Sequence, residues 1–197
     1  GSCGACWAFA NMGVIEAQYN IESGDPRWDM DLSEQAMLSC SDGDCGGWNS
    51  DPAIEYLEEF GAVSEECMPY VADALVACFE VCDEYDDPWT ITGATWGDTD
   101  TFTWKTMLEH GPLVAHMVTF EDFHYYESGV YTPTTVEMGG GHVVNIVGLG
   151  RQPGRLDRQE LLGHRLGHGW LLPHGVLRQR HPVLRLLHAP RAPVRLR

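Results

Sequence analysis

Residues 1–150 of this chain of 197 are almost without strong bases: Arg27 and Lys105 stand against 27 acidic residues, a formal charge of −25. That argues against a nucleic-acid partner, because counterion-linked binding needs a basic face. No apolar run approaches the ~20 residues of a membrane-spanning helix, so no membrane partner is expected. There is no internal repeat, no signal peptide and no initiator Met, and the first residue already lies inside a motif. The reading therefore expects the chain's beginning to be missing. Residues 151–197 lack Lys, Phe, Tyr, Ile, Met and Cys, yet hold ten arginines against two acids, a charge of +8. Their leucine content is too high for a solvated basic tail.

What is present is concentrated at the start. Gly1-Ser2-Cys3-Gly4-Ala5-Cys6-Trp7-Ala8-Phe9-Ala10 places two cysteines three apart, followed by Trp. From Trp7 onward, Phe9, Met12, Val14, Ile15 and Tyr19 recur near helical spacing. Cys6 is thus expected at the start of a helix, where unpaired N–H groups and the macrodipole favour negative charge. The thiolate is the attacking form of a cysteine, so Cys6 is a candidate nucleophile. An isolated C-x-x-C fits a disulfide or half a metal site better, but Trp7 and the features downstream turn the reading toward the nucleophile.

The rest of the body divides by type. Ser33 is a predicted N-cap, with Ala36, Met37 and Leu38 behind it. Cys45-Gly46-Gly47-Trp48 is a glycine-rich loop, and residues 51–60 read as a helix with Ile54, Leu57 and Phe60 on one face. Residues 67–98 read as loop-rich, with the acidic run Asp83-Glu84-Tyr85-Asp86-Asp87 as solvated surface. Thr101 to His110 is a helix candidate stopped by Gly111-Pro112, and Leu113 to Phe120 reads as a strand. Gly129-Val130-Tyr131 is strand-like, and Gly139-Gly140-Gly141 turns into a buried strand over 142–148. Helices first and strands second predict an α+β fold with two segregated lobes.

A nucleophilic cysteine needs a base. Among His110, His116, His124 and His142, the last follows three glycines, which let a substrate backbone approach. It lies 136 residues after Cys6, within the ~130–150 that separate the two groups in one class of thiol enzymes. Seven cysteines leave six beside Cys6, which formally allow fifteen pairings.

Gly1 to Ala10, Leu32-Ser33-Glu34-Gln35, Cys40, Cys45-Gly46-Gly47-Trp48, Gly111-Pro112, Ser128-Gly129-Val130-Tyr131 and Gly141-His142 follow one another as in the papain-like cysteine proteases. Residues 1–150 resemble that family throughout, and Glu66-Cys67-Met68-Pro69-Tyr70 is similar to its cathepsin B branch. The resemblance implies a helical lobe and a barrel-like antiparallel β lobe, with Cys6 and His142 facing each other across the cleft as a catalytic pair. It implies substrate contacts from Gly46, Gly47 and Gly141, and a side-chain pocket lined by Trp48, Leu113 and Ala115. His116 falls near the base of that pocket, either favouring polar or acidic side chains or serving as a plain wall residue. The loop is one residue shorter than the family's Cys-x-Gly-Gly. The bridges implied are Cys3–Cys45, Cys40–Cys78 and Cys67–Cys82, which fit an oxidising compartment, lysosomal, vacuolar or secreted. No metal or other cofactor is implied. Peptides are the implied substrates, cystatin-like proteins the implied inhibitors, and the chain is expected to act as a monomer. No counterpart of the cathepsin B occluding loop is present, so endopeptidase action is expected. The alternative is an inactive papain-fold protein that binds peptides or inhibitors.

Two family parts are missing. The oxyanion-hole Gln would precede Gly1, and the Asn that orients the base, in Asn-Ser-Trp-Gly, is absent beyond His142. The genetic code accounts for the second. When the codons of Arg155 to Pro173 are read one base later, the permitted third bases allow Gly-Trp-Ile-Val-Lys-Asn-Ser-Trp-Gly-Thr-Asp-Trp-Gly-Met-Asp-Gly-Tyr-Phe-Arg. That string resembles the missing segment in its expected place. Residues 1–150 are accordingly taken as the peptidase domain, and 151–197 as an aberrant, frameshifted tail that leaves the β lobe incomplete.

Overall fold

The first helix is buried over about half of its circumference. The computed structural model describes residues 2–25, 30–78, 88–151, 159–161 and 181–186. In it α1 spans Cys6–Ser23 and buries Trp7, Ala8, Ala10, Asn11, Met12, Val14, Ile15 and Gln18. A helix buried over so wide an arc must have partners around it. These are α2 (Glu34–Cys40) and α3 (Ser50–Glu59) on one side and the strands on the other. Gly24 closes α1 in the left-handed conformation, at φ 67°, with its N–H on the Ile21 carbonyl.

α2 starts as expected, with Ser33 Oγ accepting from the Ala36 N–H at 2.9 Å. Buried Gln35 ties the following loop down: it donates to the Asp73 carbonyl and accepts from the Val71 N–H, at 2.8 and 3.0 Å.

The second half contains β1 (Ile91–Gly97), α4 (Thr101–Leu108), β2 (Leu113–Phe120), a 3-10 turn (Glu121–Tyr125) and β3 (Met138–Ile146). Three short strands follow: β4 (Leu149–Arg151), β5 (Gln159–Leu161) and β6 (His181–Leu186). All pairings are antiparallel, namely β1 with β6, β2 with β3 and β4 with β5. Among the described residues, then, the strands pair two by two and do not close into a barrel.

Three expectations change. β1 lies in the stretch expected to be loop. Gly129-Val130-Tyr131 is not a strand, since the chain there turns at Gly129, φ 87°. The strand read over 142–148 begins and ends earlier, as Met138–Ile146, and takes in the three glycines before His142. The acidic run 83–87 and the tail residues 152–158, 162–180 and 187–197 lie outside the described residues.

β2 and β3 show why one sheet can serve two cores. Val114 and Val143 join the cluster around α1, whereas Leu113, Ala115, Met117, Val144 and Ile146 pack with Trp104 and Met107 on the opposite face. Side chains alternate along a strand, so adjacent residues face different layers. The fit to α1 is close: a Cβ at Gly13 would stand 2.7 Å from Asn145 Nδ2.

Two bridges staple the helical part, Cys3–Cys45 and Cys40–Cys78, with Cα separations of 4.5 and 4.7 Å. Cys67 is also disulfide-bonded, and Cys82 lies outside the described residues.

Carboxylates crowd the junction of α1, α2 and the turn beyond Ala62. Glu16 accepts from the Leu32 N–H at 2.8 Å, and Glu65 accepts from the Tyr70 N–H at 2.6 Å. Burial first, then the charges of Glu16, Glu65 and Asp31, push Glu34 up to about 8 from 4.5. A carboxyl raised in the folded state contributes stability that is full below its unfolded value and lost as pH rises through its folded value. Glu34→Gln is therefore expected to match the unaltered chain near pH 4 and to exceed it at pH 8 by about 1–3 kcal/mol, allowing for screening by the solvent that reaches the side chain. Urea unfolding at a series of pH values checks this.

Candidate active site

The candidate nucleophile is set by the chain on both sides of it. Cys6 is the first residue of α1, half-buried and unbridged. Behind it, Cys3 is bridged to Cys45, and the Gly4 N–H donates to the Cys45 carbonyl at 2.9 Å. A Cβ at Gly4 would sit 2.6 Å from that carbonyl oxygen, so only glycine fits. Ahead of it, the Trp7 indole donates to the Asp44 carbonyl at 3.2 Å and meets the Trp48 ring edge-on at 5.2 Å. Ala5, the N-cap, supplies no side-chain bond to the first turn. The positive end of α1 thus has no side-chain acceptor competing for negative charge beside the sulfur.

Gly46 and Gly47 lie exposed beyond Cys45. The Gly46 N–H donates to Asp44 Oδ1 at 2.7 Å, and Gly47 takes φ 106°, a conformation that glycine adopts freely. Gly141 is exposed on β3, where a Cβ would meet nothing within 4 Å.

His142 follows on β3, half-buried and opposite Met117, with its ring 6.2 Å from that of Phe123. The register puts His142 on the sheet face of Met117, opposite to the face of His116 and Val143.

The residues expected to line one pocket are not brought together. Leu113 and Ala115 are 0% and 1% exposed, in the cluster of Trp104 and Met107, while Trp48 packs against the cluster around α1. The alternation of β2 sends 113 and 115 to one face and 116 to the other. His116 is half-buried and shares a hydrogen bond between Nε2 and Ser50 Oγ. Burial pushes its proton affinity down, and Asp51 opposes that. Ser50 was not foreseen from the sequence. The alternation of apolar residues in 113–117 was the signal that could have separated His116 from Leu113 and Ala115.

Among the described residues, no group of three or more His, Cys, Asp or Glu side chains could hold a metal ion, and no helix is long and apolar enough to cross a membrane.

Helices and antiparallel strands packed around a helix that begins with an unbridged cysteine make up the α+β arrangement of the papain-like proteases. The chain belongs to the papain family of cysteine proteases, whose model matches residues 1–159. It is similar to the cathepsin B-like CP3 of Giardia intestinalis, 32% identical over 168 residues, covering 80% of this chain and 55% of that protein. Cathepsin B of Dictyostelium discoideum is 30% identical, covering 75% and 53%. Among solved structures, procathepsin B S9 from Trypanosoma congolense matches with a TM-score of 0.67 at 28% identity, over 77% of this chain and 55% of that one. Bromelain from Ananas comosus, in complex with the E64 inhibitor, matches at 0.62 and 28%, over 76% and 68%. The chain spans about half the length of the cathepsin B relatives it matches.

Ala115→Leu is expected to overpack the Trp104–Met107 cluster, costing about 1–3 kcal/mol in chemical denaturation. It should leave peptide selectivity unchanged, which a substrate panel would check.

Proposed function

We propose that the chain carries the centre of a cysteine-type endopeptidase, with Cys6 as nucleophile and His142 as its proton partner. The observation that supports it most is the unbridged thiol at the first position of α1, held by a bridge on one side and a tryptophan on the other. The thiolate adds to a peptide carbonyl, and the charge that develops on the oxygen lies near the uncapped N–H groups of α1. His142 returns the proton to the leaving amine, and water, deprotonated by His142, then releases the acyl group. Gly46, Gly47 and Gly141 offer exposed backbone to an extended peptide, a strand-like mode of binding. Peptides and proteins are the substrates, cystatin-like proteins the inhibitors, and the active form a monomer. The disulfides fit an oxidising compartment, and we place the chain in a lysosome, a vacuole or the secreted space.

A second reading, an inactive peptide- or inhibitor-binding protein, draws on the missing Asn-Ser-Trp-Gly. Our account of that absence is a frameshift after about Gly150. Resequencing the gene across codons 148–176 is expected to restore a frame encoding Asn-Ser-Trp-Gly; an unchanged sequence removes the account.

Cys6→Ala is expected to abolish hydrolysis of a fluorogenic peptide by the frame-restored chain. An epoxide thiol inhibitor should label Cys6, as mapped by mass spectrometry. Hydrolysis surviving in Cys6→Ala, or labelling elsewhere with Cys6 unmodified, sinks the assignment.

A further inference from the structure

The candidate base lies against an aromatic group built by the turn that follows β2. On its face of the sheet, His142 has Met117 opposite and the pair Ala115–Val144 next to it toward α4. In the other direction comes the pair Thr119–Gly140, and a Cβ at Gly140 would meet nothing within 4 Å. The sheet thus offers side chains to the imidazole on one flank and open space on the other. Phe123, from the 3-10 turn, packs on the same cluster as Met117 and Val144. Its ring centroid stands 6.2 Å from that of His142, with the planes tilted by 58°. Aromatic rings attract one another at this range.

A 3-10 turn of five residues has poor hydrogen-bond geometry and holds a ring weakly by itself. This one is clamped from the chain beyond it. Phe123 lies parallel to Tyr126, at 6.3 Å and 3°, and meets Tyr131 edge-on at 5.0 Å. Tyr126 and Tyr131 are themselves edge-on at 5.7 Å. Tyr131 is only 4% exposed, and its hydroxyl donates to Asp122 Oδ1. Asp122 Oδ2 accepts from the N–H and the hydroxyl of Thr134, at 2.5 and 2.7 Å. The Tyr131 hydroxyl first, and then the Thr134 donors, hold the Asp122 carboxyl below the usual carboxylate range. It is therefore an ionised acceptor, whose hydrogen bonds are of the stronger, charge-assisted kind.

We propose that Asp122 and Tyr131 are positioning residues for the candidate base: their bond locks Phe123 in place, and the Phe123 ring confines the His142 imidazole to one rotamer. A proton partner must be held within about 0.5 Å of its productive place, by neighbours whose own rotamers are fixed. Asp122, one residue before Phe123, fixes the turn, and Tyr131 fixes the ring. The proposal deepens the endopeptidase reading and rests on it only for the task that His142 then performs.

Side-chain NMR on the whole chain tests this without any turnover. The three-bond N–Cγ and C′–Cγ couplings of His142, assigned by their loss in His142→Gln, report its χ1 rotamer. In the unaltered chain they are expected to show a single rotamer. Phe123→Leu should draw them to rotamer-averaged values, and Asp122→Ala and Tyr131→Phe should draw them part of the way. Phe123→Tyr, which keeps the ring, should leave them unchanged. Amide spectra check folding, and Tyr131→Phe carries the test if Asp122→Ala unfolds. Averaged couplings in the unaltered chain overturn the proposal. So does a single rotamer that persists in Phe123→Leu or Tyr131→Phe, or averaging in Phe123→Tyr as complete as in Phe123→Leu. The same variants then report what the rotamer serves. Alkylation of Cys6 by iodoacetamide at pH 5 should slow about tenfold in Phe123→Leu, the change in thiolate fraction that one pKa unit makes, and hardly at pH 9, where the thiol ionises unaided. Averaging with no change in alkylation counts against the Cys6–His142 pair, and so against the peptidase reading alone. Slower alkylation without averaging counts against the positioning alone.

Discussion

Everything near the candidate nucleophile depends on the attachment of the first turn of α1 to the 43–48 loop. A bridge, a backbone hydrogen bond and an indole hydrogen bond converge on Cys45 and Asp44 within a few residues of Cys6. The contact tolerates no bulk: a Cβ at Gly4 would strike the Cys45 carbonyl, and one at Gly43 would stand 2.5 Å from the Trp7 ring. Close packing of this kind holds a helix start in one place. The sulfur's relation to the exposed Gly46–Gly47 backbone follows from it.

The second constraint is the double role of β2 and β3. Each strand contributes one face to the cluster around α1 and the other to the cluster under α4. His116 and His142 are consequently sent to different environments by a parity of position, although both belong to the same strand pair. The Ser50–His116 bond then links the sheet to α3, close to where the loop from Cys45 enters that helix.

Electrostatics set a background for both. The body's excess of acid is not only surface charge, because Glu34 and Glu65 are raised mainly by burial beside other carboxylates. Protons are held more tightly there in the folded state than in the unfolded one, so acid favours this junction. The Cys3–Cys45 and Cys40–Cys78 bridges reinforce the same half of the molecule by restricting the unfolded chain.

Much of the helical half was legible in local signals, each needing only a few neighbouring residues: the apolar spacing after Trp7, Ser33 ahead of Ala36, and Gly61 after Phe60. β1 was not, because Thr92, Gly93 and Ala94 carry little apolar pattern and its partner β6 lies about ninety residues away. The glycines before His142 carry no apolar pattern of their own, but pairing with Val118 and Thr119 draws them into the strand. The sequence by itself determined that a cysteine would begin a helix, that a histidine would stand on a late strand, and which family the chain resembles. Only the tertiary structure decided that Leu113 and Ala115 are core, while His116 turns to Ser50. Strand alternation leaves two choices of face, and the choice is made by what packs on each side, α1 and α3 on one and α4 on the other.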